Sequence, residues 1–231
     1  RISPLKSFWG INKKTEIKLN KKGIITIGDL AHYPHRYLKK DFGILGTDMH
    51  LHANGIDQSK IREKSKINNP AICKSQILMR DYQFNETKIV MQELIEDVAC
   101  RLRERKQLAR TIHFSFGYTE GGGIHKQHTL TDATNLEQDI FKVVNDYANQ
   151  LCDKHALYRT LSVSLTQFIN EENRQLNLFI DEYKRQRDEN LAKTIDTLQR
   201  KYGKGIVSKA ISYTASGTKH NRLGLMAGHK M

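Results

Sequence analysis

The residues best suited to chemistry in this chain lie in "GINKKT", residues 10 to 15. The glycine and asparagine favour a turn before a short helix, and the lysines and threonine begin that helix. Such a turn aims backbone N–H groups at a helix N-terminus toward an anion. Asn12 tolerates left-handed backbone, so it can stand where glycine is more usual. The pattern predicts a phosphate-binding hairpin, with a plain helical hairpin as the alternative. Its residues are Gly10, Ile11, Asn12, Lys13, Lys14 and Thr15.

A second set of basic residues lies at the ends of predicted strands. Because the intervening strand residues are small and polar, we expect an open sheet face bordered by positive charge, suited to a nucleic-acid backbone. A merely solvated sheet face is the alternative. These strand-end residues are Lys74, Arg80, Arg110, Lys126 and Arg159.

Catalytic and metal-binding patterns are missing from the sequence. The four histidines between residues 32 and 52 have no standard metal-ligand spacing, and the glycines at 121–123 are not followed by a Walker-type Lys-Ser/Thr pair. We find no strand carboxylates placed to hold two magnesium ions and no nucleophile–base pair. We therefore assign no catalytic residue and no metal site to this chain.

Composition points to an anionic partner. The chain has 231 residues and a formal charge of +13. Lys and Arg exceed Asp and Glu by 14 to 6 in residues 1–71 and by 12 to 7 in residues 170–231, but the two types balance at 12 each in 72–169. A basic front and tail indicate either a nucleic-acid partner or a merely soluble basic surface, and the charge alone does not decide between them. Three unpatterned cysteines and no apolar run of membrane-spanning length indicate a reduced, cytoplasmic protein.

The elements that position these residues divide into two domains and a tail. Residues 1–65 predict short helices that end at glycine or proline, and residues 66–71 predict a linker. Residues 72–169 alternate strand and helix patterns in the order β-α-β-β-α-β, a split, ferredoxin-like arrangement. Asn85 is the expected N-cap of its first helix. We predict an α+β protein in which both helices cover one face of an antiparallel sheet.

The tail, residues 170–231, contains an apolar cluster in "QLNLF" ahead of a charged helix predicted at about 181–202. The last thirty or so residues have little periodicity and are expected to be irregular. An apolar cluster outside a complete βαββαβ unit either pins the tail to the domain or serves as a docking peptide.

Several segments together resemble the C-terminal part of Y-family (translesion) DNA polymerases, nearest the bacterial polymerase V catalytic subunit. "FWGINKKTEIKLNKKGIITIGDLA" is similar to the helix-hairpin-helix of the family's thumb domain. "KSQILMRDY", "ARTIHFSFGYTE" and "RTLSVSLTQF" resemble its little-finger domain, and "KYGKGIVSKA" resembles the terminal region. The resemblance covers nearly the whole chain.

The resemblance implies that this chain grips primer–template DNA in translesion synthesis during an SOS-type damage response. It implies DNA contact by residues 10–15 and by Lys74, Ser75 and Arg80. Magnesium would be held by palm carboxylates of the parent polymerase, which nothing in this sequence matches. "QLNLF" resembles the pentapeptide with which bacterial polymerases bind the β sliding clamp, with Asn177 where Ser or Asp is common. The implied clamp-binding residues are Gln175, Leu176, Leu178 and Phe179.

Further partners implied are accessory polymerase subunits, and the implied location is the bacterial nucleoid. The alternative function is a stand-alone, non-enzymatic nucleic-acid-binding protein with a helix-hairpin-helix or a ferredoxin-like module. Aromatic residues on the open sheet face would favour RNA. Phe114 and Phe116 instead fall on the expected core side.

Overall fold

The computed structural model describes residues 5–58, 70–175, 177, 181–223, 225–226 and 229–230. The chain divides into two compact units, Arg1–Lys66 and Ile67–Met231. In the described ranges no helix combines the length and the apolarity needed to span a membrane.

The described residues of the first unit, 5–58, form four short helices, separated by the glycine and proline residues that the sequence marks as stops. Pro34 ends the second helix, and Gly43, with a positive φ of 64°, separates the third from the fourth. A three-residue 3-10 turn, Leu5–Ser7, precedes them. The helices are α1 (Lys13–Asn20), α2 (Ile27–His32), α3 (His35–Phe42) and α4 (Ile44–Ala53). They enclose a small apolar core of Leu5, Ile11, Leu19, Ile24, Leu30, Leu38 and Met49.

The end of α1 shows why Gly23 is needed there. The backbone N–H of Ile24 donates to the carbonyl of Leu19 at 3.2 Å, and that of Gly23 donates to Asn20 at 3.0 Å. This pair of bonds is a Schellman motif, in which the residue at the Gly23 position takes a positive φ, here 79°. Leu19 and Ile24 are both buried, as the motif's apolar contact requires.

The second unit has the element order β-α-β-β-α-β, which confirms the predicted α+β class. Four strands form one sheet in the order β1-β4-β2-β3, with every neighbouring pair antiparallel. Strands β2 and β4 are therefore central, and β1 and β3 are the edges. The elements are β1 (Ile72–Tyr82), α5 (Phe84–Glu104), β2 (Gln107–Tyr118), β3 (Gly123–Thr134), α6 (Glu137–Leu151) and β4 (Tyr158–Asn170).

The core lies between the sheet and the helices α5 and α6. Ile112, Phe114 and Phe116 on β2 are at most 3% exposed, and they pack in one cluster with apolar residues of α5 such as Val98. The strand alternation predicted from sequence is thus confirmed for β2 and β4. At the start of α5 the N-cap is Gln83 rather than the predicted Asn85, because the Glu86 carboxylate accepts the Gln83 N–H at 2.8 Å and the Gln83 backbone carbonyl accepts the Glu86 N–H at 3.0 Å.

Beyond the sheet, the chain continues into α7 (Glu182–Tyr202), with Asp181 as its N-cap. This confirms the helix predicted at 181–202. The following segment contains more structure than its sequence indicates: a 3-10 turn at Ala210–Tyr213, the short helix α8 (Lys219–Leu223), and the two-residue strands β5 (Leu225–Met226) and β6 (His229–Lys230).

Candidate nucleic-acid interface

The predicted hairpin forms a tight turn followed directly by α1. Gly10 has a φ of 87°, and no atom lies within 4 Å of the position that a Cβ would take, so backbone conformation alone favours glycine there. Ile11 is 5% exposed and anchors the turn in the core of the first unit. Asn12 is the N-cap, and its Oδ1 accepts the Thr15 N–H at 2.8 Å. The structure therefore brings these residues together at one helix N-terminus.

The hairpin presents positive charge and an exposed aromatic ring to solvent. Lys13 and Lys14 are exposed in the first turn of α1, next to the partial positive charge of the helix end. Thr15, in contrast, is 8% exposed. Trp9, the single tryptophan of the chain, precedes the turn and is 82% exposed. The surface can accept an anion at the helix end with an aromatic side chain beside it.

In the second unit, the sheet face opposite the helices is lined by small polar side chains. Hydrogen bonds join these side chains between strands: Ser115 and Ser162 hydroxyls lie 2.6 Å apart, and His113 Nε2 lies 3.0 Å from Thr166 Oγ1. A Cβ at Gly117 would fall 2.0 Å from Thr160 Oγ1, so glycine is required where these strands meet. The predicted small, polar composition of the open face is confirmed on β2 and β4. On the edge strand β1 it is wrong, because the exposed Ile77 and Met79 alternate with the buried Leu78 and share the open face.

Two basic residues predicted to border the open face lie on the other side of the sheet. Lys74 alternates with the buried Ile72, and its Nζ is 3.5 Å from Asp97 Oδ2 on α5. Lys126 pairs directly with Phe114, a core residue, and cross-strand partners share a face. Lys126 remains exposed because β3 is an edge strand. The prediction overlooked the alternation that fixes these two side chains. Ser75, two residues beyond the exposed Cys73, does lie on the open face.

The three arginines in this set are engaged by other groups of the protein. Arg80 forms an ion pair with Glu86 at 2.5 Å, and this hydrogen bond, ahead of the opposing effect of burial, lowers the pKa of Glu86 to about 2. Arg159 Nη1 lies 3.3 Å from Asp81 Oδ1, and Arg110 Nε donates to the Leu130 carbonyl at 3.3 Å. All three retain exposed surface, so their predicted DNA contacts remain predictions.

A polar cluster between α5 and the tail was missed by sequence reasoning. Glu93 is 2% exposed, and its carboxylate accepts the Thr218 N–H at 3.0 Å and the Thr218 hydroxyl at 2.8 Å. Arg222 lies 3.3 Å from both Glu93 and Asp97, and Lys219 lies 3.2 Å from Glu96. The sequence does contain a signal for this cluster: three acidic residues, Glu93, Glu96 and Asp97, are spaced i, i+3 and i+4 on α5, and the tail is rich in lysine and arginine. We call this cluster the tail latch.

Two residues of the clamp-like pentapeptide, Gln175 and Asn177, are among the described residues. Leu176, Leu178 and Phe179 lie outside the described residues. Gln175 is exposed, and the Asn177 amide donates to Asp132 Oδ2 on β3 at 2.8 Å. On either side the chain is fixed to α7.

These anchors bracket the pentapeptide. Before it, Arg174 forms ion pairs with Glu182 and, at 2.6 Å, with Glu189. After it, Asp181 caps α7.

The histidines of the first unit do not assemble a metal centre. His35 Nε2 lies 3.1 Å from the Thr47 hydroxyl, and His50 Nδ1 lies 3.4 Å from the Leu30 carbonyl. Over the part of the chain that the structure describes, no three His, Cys, Asp or Glu side chains are grouped to hold a metal ion.

Comparisons with known proteins agree with this architecture. Residues 70–178 match the impB/mucB/samB family C-terminal domain. The chain is 38% identical over its full length to 56% of UvrX of Bacillus subtilis (strain 168), whose name describes a UV-damage repair protein. It is 41% identical over 62% of its length to 67% of the DNA repair protein homolog YobH of the same strain. It is also 32% identical over 98% of its length to 55% of that strain's DNA polymerase IV 2.

The fold also resembles that of a solved DNA polymerase. A solved Y-family DNA polymerase chimera of Dbh and Dpo4 matches 72% of this chain and 47% of its own, with a TM-score of 0.50 at 16% identity. The 41% identity to YobH, of which the chain covers 67%, and the match to the impB/mucB/samB family C-terminal domain show that the chain belongs to the Y family of DNA polymerases and matches their C-terminal part. The chimera agrees with this in fold. The chain spans about half the length of UvrX and of DNA polymerase IV 2. The closer resemblance to the polymerase V subunit stays a prediction.

Proposed function

We propose that this chain grips primer–template DNA for a polymerase that copies past damaged bases in an SOS-type response. The observation that carries the proposal is the 38% identity to the UV-damage repair protein UvrX across the entire chain. Nucleotidyl transfer would be performed by palm carboxylates and magnesium ions of the polymerase. This chain would contribute DNA binding, and residues 1–65, 72–169 and 170–231 would act as thumb, little finger and tail.

Two surfaces support contact with the DNA backbone. In the first unit, residues 10–15 would act as a helix-hairpin-helix, in which the Lys13 and Lys14 side chains reinforce a phosphate bound at the α1 N-terminus. In the second unit, the open sheet face offers hydroxyl and imidazole groups without bulky side chains on β2 and β4. Contacts to phosphate carry no sequence information, so they suit an enzyme that accepts distorted templates.

A salt series tests this proposal with a fluorescently labelled primer–template duplex and anisotropy as the readout. We expect log K to fall linearly with log salt, and the variant Lys13→Gln/Lys14→Gln to reduce that slope by about one per lysine. The matched control is Lys18→Gln/Lys21→Gln, which removes two exposed lysines at the opposite end of the same helix, one in its last turn and one at its C-cap. Affinity indifferent to salt would refute DNA gripping. Equal losses in both variants would refute the hairpin as the phosphate site.

We also propose that Gln175, Leu176, Leu178 and Phe179 bind the β sliding clamp. The apolar side chains would enter a pocket on the clamp while Gln175 forms hydrogen bonds beside it. Supporting this, Gln175 is exposed and the chain is anchored on both sides of the pentapeptide. Anchored ends reduce the entropy lost when a peptide is ordered on its partner.

Clamp binding can be measured by surface plasmon resonance on immobilised β clamp. The double variant Leu178→Ala/Phe179→Ala should abolish measurable binding. The control Leu191→Ala/Leu198→Ala truncates two exposed leucines on α7 and should bind as wild type. Unchanged binding by the first variant would contradict the proposal.

A further inference from the structure

The third residue of the clamp-like pentapeptide is hydrogen-bonded to the sheet. The Asn177 side-chain amide donates to Asp132 Oδ2 at 2.8 Å, and the two partners lie 45 positions apart in the chain. Asp132 lies near the end of the edge strand β3. Both side chains are half-buried, so water competes less strongly for this bond than for one on an open surface. The contact therefore holds residue 177 against the sheet.

The contact lies in a cleft between β3 and the start of α7. Gln175 and Asn177 both line this cleft, with Asp132 on one wall and Arg185 on the other. The Arg185 side chain joins the walls, because its Nη2 donates to the Ala133 carbonyl at 3.1 Å. The position of Asn177 is thus set by the sheet as well as by its neighbours along the chain.

The chemistry of the contact restricts the residue at position 177. An ionised carboxylate only accepts hydrogen bonds, so Asp132 needs a donor, and the amide of Asn177 supplies one. Bonds to an ionised acceptor are about twice as strong as neutral ones. An aspartate at 177, one of the residues common at the third place of clamp-binding pentapeptides, would instead bring two carboxylates together without a donor between them. Asp132 therefore favours the asparagine that this chain has.

We propose that Asp132 is a positioning residue for clamp binding, acting through Asn177. The chain is already fixed before and after the pentapeptide, by Arg174 with Glu189 and by Asp181 at the α7 N-cap. The bond to Asp132 adds a third anchor between them, and a peptide that is ordered before it binds loses less entropy on binding. The inference rests on the proposed clamp binding. It adds a residue outside the pentapeptide that determines the affinity, and a reason for the asparagine at the third place.

Surface plasmon resonance of the whole chain on immobilised β clamp tests the proposal. Asn177→Asp should weaken binding about tenfold, because a hydrogen bond to a charged group is replaced by repulsion between two carboxylates. Asp132→Asn/Asn177→Asp exchanges the donor and the acceptor, so it should restore the affinity to within about twofold of wild type. The matched control Asn190→Asp makes the same substitution at an exposed position of α7 and should bind as wild type.

The exchange variant separates the outcomes, because it carries the same third residue as Asn177→Asp. Loss in the single variant with recovery in the exchange variant assigns the effect to Asp132. Wild-type affinity in Asn177→Asp overturns the anchor, and so does an equal loss in both variants, which would mean that residue 177 contacts the clamp directly. An equal loss in Asn190→Asp would assign the effect to net charge and also overturn it. A wild-type chain that does not bind the clamp, or binding that survives Leu178→Ala/Phe179→Ala, overturns the clamp-binding proposal and the anchor with it.

Discussion

Replacing Asp196 with leucine should strongly destabilise the second unit, because α7 is fixed to α5 by a buried ion pair. Arg103 and Asp196 side chains are 4% and 9% exposed, and the guanidinium donates to the carboxylate at 2.6 and 3.0 Å. Burial opposes the charge on Arg103, but the hydrogen bond and charge of Asp196 outweigh it and raise the pKa of Arg103. Asp196→Leu leaves this cation buried without its main partner.

Removing one partner of a buried ion pair typically costs about 3 to 5 kcal/mol. We expect the lower end, about 3 kcal/mol, because Arg103 keeps a hydrogen bond to the Asn135 carbonyl at 2.8 Å and has Glu137 at 3.7 Å. Urea unfolding followed by circular dichroism measures the loss. Amide hydrogen exchange in the buried helices of the first unit should stay near wild type and serves as an internal control.

A double-mutant cycle completes the test. Arg103→Met/Asp196→Leu replaces both charges with apolar groups of similar length and should recover most of the lost stability, giving a coupling energy of about 2 to 3 kcal/mol. A cost below about 1 kcal/mol for Asp196→Leu, or a double variant as unstable as the sum of the single ones, would refute a buried ion pair as the contact that holds α7.

Three further changes probe individual contacts. Gly10→Ala should cost about 1 kcal/mol of stability of the first unit, measured by amide hydrogen exchange in its helices, because its φ is 87°; unchanged protection would contradict this conformation. Gly117→Ala should destabilise the second unit by about 1 to 3 kcal/mol through overlap with Thr160 Oγ1, and Thr160→Ala should partly restore it in thermal melts; the absence of rescue would count against that contact. Glu86→Gln should cost about 1 kcal/mol at neutral pH, a figure reduced because Arg80 is half exposed. The pKa of Glu86 is lowered from 4.5 to about 2 on folding, so its contribution is complete above pH 4.5 and is lost as pH falls through about 2; acid titrations of wild type and variant should converge there.

Local sequence signals predicted several elements well because those elements begin or end at a residue with a specific backbone role. Gly23 terminates α1 through its left-handed conformation, and Asp181 begins α7 through a side-chain cap. Apolar alternation correctly put Phe114 and Phe116 in the core. The same alternation also determines the direction of the Lys74 side chain, which shares a face with the buried Ile72. Its position near a strand end alone had suggested the open face instead.

The tail could not be predicted from periodicity, because its contacts are polar and distant in sequence. Glu93 and Thr218 are separated by 125 residues, and no repeating pattern in the tail indicates which side chains are buried. The helix α7 is similar, since its buried residues are Glu189 and Asp196 rather than an apolar stripe. Charge complementarity between α5 and the tail was the only available signal.

The tail latch has a consequence for how the protein is made. Glu93 emerges from the ribosome 125 residues before Thr218, the backbone donor that it holds. At about 5 to 20 residues per second, synthesis of the intervening chain takes roughly 6 to 25 s. Throughout that interval a carboxylate destined for burial has no tail partner, so the second unit can complete its folding only after Thr218 has been synthesised. Premature termination after α7 would release a chain that has every strand of its four-stranded sheet but no latch, and quality-control proteases would encounter it as a less stable product.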